Sequence, residues 1–173
     1  MGAPLRQGRR RRDHLFQLRQ PCRRRSRAWI RDHRSRPDQP SWRRLVHEVH
    51  TFDCRYIIQL HFSGRQRDLP RKEFLDTPPP GATDRPDLLY GLRSRRMSIP
   101  EIHELVQAYA AAARRAREAG ADGIEIVACN GYILHQFLSS AINDRTDEYN
   151  GDLRARERLT LEVAAGRARR RGP

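Results

Sequence analysis

The chain has 173 residues, of which 35 are basic and 21 acidic, so its formal net charge is +14 at pH 7. No run of about 18 apolar residues is present, so no membrane-spanning helix is predicted, and the N-terminus lacks the apolar stretch of a signal peptide. The three cysteines show no C-x-x-C spacing, so we expect neither a disulfide framework nor a zinc site. These features predict a soluble, cytoplasmic chain with one globular domain.

The positive charge is concentrated at the two ends of the chain. Residues 1–36 carry a net charge of +11 and residues 154–173 one of +5, and Lys72 is the single lysine. Three interpretations of the tails at residues 1–36 and 166–173 stay open: disordered solvated segments, arms that bind nucleic acid, or non-native sequence from a shifted reading frame. The near absence of lysine argues against a dedicated nucleic-acid arm, because phosphate binding requires charge rather than arginine in particular.

Between the tails, the first predicted elements are a helix and a strand. The helix begins with Ser41 as its N-cap and presents apolar residues on one face. The strand "RYIIQL", residues 55–60, is short and β-branched, as expected of a strand that is buried on both faces. Residues 66–96 have no sustained period and predict a long loop that could hold a short hairpin.

The most regular segment follows this loop. Ser98 and Glu101 form a capping box, the next apolar residues repeat at helical spacing, and Gly120 ends the predicted helix. "GIEIV", residues 123–127, is then a second buried strand, and residues 153–168 predict a last helix. A strand, a long helix and a strand make a βαβ unit, which predicts that the two strands are parallel neighbours.

In parallel sheets, ligands bind beyond the carboxyl ends of the strands. Those ends are residues 59–61 and 128–130, where the apolar strands give way to polar side chains. The candidate site is therefore expected at this edge of the sheet.

Three segments in this order, "AREAGADGIEI", "NGYILHQFLS" and "NDRTDEY", are preceded by "WRRLVHEVH" and "IIQLHFSGR". Together they resemble the old yellow enzyme family, also called the NADH:flavin oxidoreductase family, over about residues 37–165. Members are TIM (β/α)8 barrels that carry FMN at their C-terminal mouth. Because a full barrel needs about 250 residues, the resemblance implies an α/β fold that is a partial barrel of about strands 3–4 with their helices, flanked by basic disordered tails.

The resemblance implies roles for three residues. Gln59 matches a glutamine that binds the flavin, and its amide offers both a donor and an acceptor to the pyrimidine edge. Tyr132 matches the proton donor, for which a phenol that stays protonated at neutral pH is suited. Asn130 matches one half of a pair that grips the substrate carbonyl, while Val127 stands where the other half, a histidine, is expected.

Other residues depart from the family pattern or have simpler explanations. Phe62 stands where the family has a histidine, and His61 lies one place earlier. In "YNGDLRAR", three residues replace a glycine, a serine and an asparagine of the family. We expect Arg145 and Asp147 to form a structural ion pair. His47 and His50 share a helix face but have no carboxylate cluster, so no metal site is predicted, and His135 is expected on a short helix outside the site.

The resemblance implies an FMN-dependent oxidoreductase of the ene-reductase kind, with NADH or NADPH as reductant and an activated alkene as substrate, in the form of a truncated fragment. Its exposed strand edges would require the remaining barrel segments to be supplied in trans. The alternative is a non-catalytic fragment whose arginine-rich arms bind nucleic acid.

Overall fold

The fold is described from a computed structural model that covers residues 14–17, 39–66, 78–88, 91 and 93–166. The strands are β1 (His14–Gln17), β2 (Tyr56–Leu60), β3 (Pro80–Gly81), β4 (Arg95–Arg96) and β5 (Gly123–Ile126). The helices are α1 (Gln39–His50), α2 (Ile99–Glu118), α3 (Ile133–Leu138) and α4 (Leu153–Ala165).

A three-stranded parallel sheet in the order β1-β2-β5 forms the centre of the fold. Strands β2 and β5 pair in parallel with Ile58 opposite Ile124 and Gln59 opposite Glu125. Helix α2 connects them, so the βαβ unit predicted from the sequence is confirmed. Its carboxyl ends lie at one edge of the sheet, where the polar residues follow.

Strand β1 was not predicted. It lies inside the segment 1–36, which was expected to be a disordered or non-native tail, and pairs in parallel with β2, with Gln17 opposite Gln59. These four residues are thus a regular element within a tail whose interpretation stays a prediction. Leu15 and Phe16 are only two apolar residues within arginine-rich sequence, which is too short a pattern to predict a strand. The strand is defined by its pairing with β2. The rest of both arginine-rich tails lies outside the described residues, apart from Gly166.

The described parts of the loop between β2 and α2 contain a small bridge instead of a hairpin. Strands β3 and β4 pair in parallel, whereas a hairpin requires antiparallel strands. The Ser94 hydroxyl donates to the carbonyl oxygens of Thr83 at 2.8 Å and Arg85 at 2.7 Å. These bonds hold the segments around β3 and β4 together, in addition to the short pairing of the two strands.

Helix α2 confirms the capping prediction. The Ser98 side chain accepts from the backbone N–H of Glu101, and the Glu101 carboxylate accepts from the backbone N–H of Ser98 at 2.9 Å. The helix buries an apolar stripe against the sheet, consisting of Ile102, Leu105, Val106, Ala108, Tyr109 and Ala116. The predicted N-cap of α1 is wrong, because that helix begins at Gln39 and Ser41 lies in its first turn.

Helix α4 ends earlier than predicted, at Ala165, because Gly166 adopts a left-handed backbone with φ of 67°. Glycine takes this conformation without steric cost, which makes it a common helix terminator. A groove of about 380 Å³ lies between α2, α4 and the sheet, lined by Leu60, Ile124 and Ile126 among others. These residues alternate with Gln59 and Glu125 along the strands, so the groove opens on the face opposite to those two polar side chains.

Two kinds of feature are missing from the described part of the chain. No helix there combines the length and the apolar character that a membrane crossing requires. No group of three or more His, Cys, Asp or Glu residues there is arranged to hold a metal ion.

We expect Glu101→Gln to lower the free energy of unfolding by about 1–2 kcal/mol at pH 7. The Arg95 guanidinium, 2.6 Å from the carboxylate, lowers the pKa of Glu101 from 4.5 to about 2. Because the folded-state pKa is below the unfolded one, this stabilisation is fully present above pH 4.5 and is lost as the pH falls towards 2. Urea unfolding at several pH values measures it, with the exposed Glu104→Gln on the same helix as the control. An equal loss for both variants would contradict the assignment.

Candidate active site

The candidate site lies where β2 and β5 end. Three hydrogen bonds join the two segments beyond the strands: Val127 N–H to Leu60 O at 3.1 Å, Ile133 N–H to Phe62 O at 2.9 Å, and the Gln136 amide to Ser63 O at 3.1 Å. The carboxyl ends of the two strands are thus fixed side by side, as the βαβ prediction required.

The turn after β5 has an unusual backbone. Asn130 and Gly131 both have positive φ values, of 59° and 73°. Asparagine is among the few residues that tolerate this region, and glycine adopts it freely. A Cβ atom on residue 131 would also clash with the side chain of Gln66. The turn therefore depends on the Asn-Gly sequence, and it exposes Asn130 at the edge of the sheet.

Tyr132 follows this turn as the N-cap residue of α3 and is half-buried. Its ring stacks on the imidazole of His61, with centroids 5.1 Å apart and an interplanar angle of 24°. Its main-chain carbonyl accepts from the N–H of Gln136 at 2.8 Å. The phenol is thus held by a helix start on one side and by the end of β2 on the other.

Gln59 lies on β2, half-buried and opposite Glu125. Strand residues two apart share a face, so Gln59 and His61 lie on the same side of the sheet, and His61 contacts Tyr132. No hydrogen bond joins Gln59 to Asn130 or Tyr132 among the described residues. The structure therefore brings the predicted site residues to one edge of the sheet and links two of their segments through His61.

Two residues of this edge were missed by the sequence reasoning. His61 was noted as a histidine one place early, although the alternation along β2 could have placed it beside Gln59. Gln136 is fully buried, and its amide donates to the carbonyl oxygens of Gly131 at 2.7 Å and Ser63 at 3.1 Å. A glutamine within the apolar run "YILHQFL" was the available signal, because buried amides require hydrogen-bond partners.

Val127 directly follows β5 and is 5% exposed. Its side chain carries no hydrogen-bond donor, so the departure noted in the sequence is a real change in the chemistry of the edge. His135, predicted to lie outside the site on a short helix, is on α3 and accepts from the N–H of Gly131 at 2.8 Å through Nδ1. It supports the turn that carries Asn130.

The Arg145–Asp147 ion pair is confirmed, at 2.6 Å, with the Arg145 side chain only 2% exposed. Arg145 also donates to the carbonyl oxygen of Met97 at 2.7 Å and lies over the ring of Phe137 at 5.5 Å. Burial raises the pKa of Asp147, but the hydrogen bonds from the Arg145 guanidinium and from the N–H of Tyr149 outweigh burial, so the pKa is lowered overall. The loop after α3 is thereby tied to the start of α2.

The changes in "YNGDLRAR" have structural roles. Asp152 is the N-cap of α4, and its carboxylate accepts from the N–H of Ala155 at 2.9 Å. Aspartate is as good an N-cap as the serine it replaces. The Asn150 amide donates to the carbonyl oxygen of Arg145 at 2.7 Å. Both replacements are therefore compatible with the fold.

The histidines of α1 do not form a metal site among the described residues. His50 Nε2 lies 2.8 Å from Asp122, whose carboxylate also accepts from Arg55 at 2.6 Å and from the N–H of Tyr56 at 2.8 Å. The bond from Tyr56 is the main cause that lowers the pKa of Asp122. This cluster lies at the amino ends of β2 and β5, opposite to the candidate site.

Comparison with known proteins shows which protein family the chain resembles. The sequence model of the NADH:flavin oxidoreductase / NADH oxidase family matches residues 34–167. The chain belongs to this family. Among curated relatives, 12-oxophytodienoate reductase 7 of Oryza sativa subsp. japonica is 40% identical over 135 residues, covering 71% of this chain and 34% of the relative.

Flavin oxidoreductase hxnT of Emericella nidulans is also 40% identical, over 128 residues that cover 70% of this chain and 33% of that protein. A solved structure of morphinone reductase in complex with tetrahydroNAD is similar with a TM-score of 0.67 at 28% identity, covering 76% of this chain and 40% of that chain. This chain thus spans about a third of the curated flavin oxidoreductases it matches. The prediction of an α/β fold that forms part of a TIM barrel is confirmed.

Proposed function

We propose that this member of the NADH:flavin oxidoreductase family supplies part of the active site of an FMN-dependent oxidoreductase that reduces activated alkenes with NADH or NADPH. The observation that carries the proposal is the convergence of the β2 and β5 ends, where Tyr132 stacks on His61 beside the strand that bears Gln59. Small-molecule reductases among the relatives support the substrate class.

The residues at this edge fit a flavin and a carbonyl compound. Within the described part of the chain, the side chains of Gln59, Asn130 and Tyr132 make no hydrogen bond, so their polar groups are available to a ligand. Gln59 would hold the flavin through an amide that both donates and accepts. When bound, FMN supplies the hydride chemistry.

Tyr132 would act as the general acid that donates a proton to the substrate. Its place at the N-cap of α3 and its stacking on His61 fix the ring, and a fixed donor is what general acid catalysis requires. Asn130 would donate to the substrate carbonyl from the positive-φ turn. Val127 gives no second donor at its position.

The remaining parts of the proposal concern context. In the described sheet, β5 has no neighbouring strand on its outer side, and an apolar groove lies beside α2 and α4. Further barrel segments, supplied in trans, would cover both surfaces. A cytoplasmic location agrees with the free thiols of Cys54 and Cys129. The alternative role in nucleic-acid binding depends on the arginine-rich tails, which lie almost wholly outside the described residues, and stays a prediction.

We expect Gln59→Leu to weaken FMN binding by about tenfold, because it removes hydrogen bonds worth about 1 kcal/mol or slightly more in total. Titration of FMN into the full chain, followed by flavin fluorescence, measures the affinity. Gln107→Leu, on the exposed face of α2, is the matched control and should bind FMN as the unmodified chain does. Equal affinities for Gln59→Leu and the unmodified chain would overturn the role of Gln59.

A further inference from the structure

His61 and Val127 lie at the same level on neighbouring strands. Leu60 pairs with Ile126 in the parallel register of β2 and β5, so the next residues along the two strands are His61 and Val127. The bond from Val127 N–H to Leu60 O, at 3.1 Å, continues the pairing to this level. Because neighbouring strands lie about 4.8 Å apart, a side chain on residue 61 is displaced from one on residue 127 by about one strand spacing.

The two residues differ in what they offer to a ligand. Val127 is apolar and 5% exposed, whereas His61 is half-buried and carries a ring that can donate a hydrogen bond. The stacking of His61 on Tyr132, at 5.1 Å and 24°, fixes the imidazole beside the phenol. The edge of the sheet thus holds one fixed imidazole, on β2, next to the valine on the β5 side.

We propose that His61 is a substrate-binding residue that donates a hydrogen bond to the carbonyl oxygen of the substrate, together with Asn130, in place of a donor at Val127. This inference rests on the proposed function, because it requires a carbonyl compound against Tyr132. Since the donor lies on β2, the carbonyl group is held on the β2 side of the site, about one strand spacing sideways from where a donor at residue 127 would hold it. His61 thereby determines which carbonyl compounds place their alkene carbon against the hydroxyl of Tyr132.

The test measures binding of cyclohex-2-enone to the full chain loaded with FMN, followed by the change in the flavin absorption spectrum. We expect His61→Leu to weaken enone binding by about tenfold and His61→Gln, which keeps an N–H donor, to weaken it by about threefold or less. The double variant His61→Leu with Val127→His returns the donor to β5 and should restore most of the affinity. His47→Leu, exposed on α1, is the control and should not change enone binding.

The outcomes separate this inference from the proposed function. If the chain binds FMN and the unmodified chain and His61→Leu bind the enone with equal affinity, the inference is overturned and the proposed function stays in place. Loss of enone binding in His61→Leu without recovery in the double variant indicates a structural role through Tyr132, which also overturns it. Failure of the unmodified chain to bind FMN overturns both. Circular dichroism of each variant verifies that the helices are retained.

Discussion

Tyr132→Phe is expected to slow enone reduction by about 10²- to 10⁴-fold, the usual contribution of a positioned general acid. The substitution removes one oxygen atom and keeps the ring that stacks on His61 at 5.1 Å. The turn at Asn130 and Gly131 is held by main-chain groups and by His135 and Gln136, so it should be unchanged. The defect should therefore be chemical rather than structural.

The two half-reactions distinguish this role from a general loss of function. Reduction of bound FMN by NADPH does not require a proton from Tyr132, so its rate should stay within about twofold of the unmodified chain. Stopped-flow absorbance of the flavin measures reduction by NADPH and reoxidation by cyclohex-2-enone separately. The control is Tyr149→Phe. The Tyr149 hydroxyl donates to Glu162 at 2.9 Å, outside the candidate site, so this variant should leave reoxidation intact. Equal slowing of both half-reactions in Tyr132→Phe would contradict the assignment.

Arg145→Met should produce the largest loss of stability, about 3 kcal/mol or more in the free energy of unfolding. The guanidinium is 2% exposed and serves Asp147 at 2.6 Å and the carbonyl oxygen of Met97 at 2.7 Å. Methionine fills much of the same space but removes the donor to the Met97 carbonyl oxygen and leaves Asp147 with the N–H of Tyr149 alone. Removal of one member of a buried pair costs more than the pair contributes, because the remaining polar groups lose their compensation.

Urea unfolding measures this loss, and Arg154→Met on the exposed face of α4 provides the control. Surface substitutions of that kind usually change stability by about 0.5 kcal/mol or less. If Arg145→Met and Arg154→Met had the same effect, Arg145 would not connect the loop after α3 to the start of α2.

Local sequence signals predicted the elements that depend on local chemistry. The capping box at Ser98 and Glu101 sets the start of α2, and the apolar runs around Ile58 and Ile124 predict two strands. The prediction that the second strand is buried is wrong, because Ile124 is 38% exposed. The βαβ rule then places their ends together, which predicts that Gln59 and Tyr132 lie at one edge of the sheet. The start of α1 was placed at Ser41 because serine is a strong N-cap, but the helix extends to Gln39.

The features that depend on contacts between distant residues could not be predicted in the same way. Strand β1 has an apolar core of only Leu15 and Phe16, and its place follows from pairing with β2. The stacking of His61 on Tyr132 joins residues 71 positions apart, and no periodic pattern encodes it. The resemblance to known flavoproteins assigned Tyr132 a role but treated His61 as a displaced family histidine, whereas the geometry gives it a contact of its own.

The central claim, that this family member carries FMN at the ends of β2 and β5, is tested most directly by flavin retention. The purified full chain is incubated with FMN, separated from free flavin by gel filtration, and examined by visible absorption. The account predicts a flavin band that co-elutes with the chain and is weakened in Gln59→Leu but not in Gln107→Leu. A chain that retains its helices by circular dichroism and elutes without flavin would contradict it.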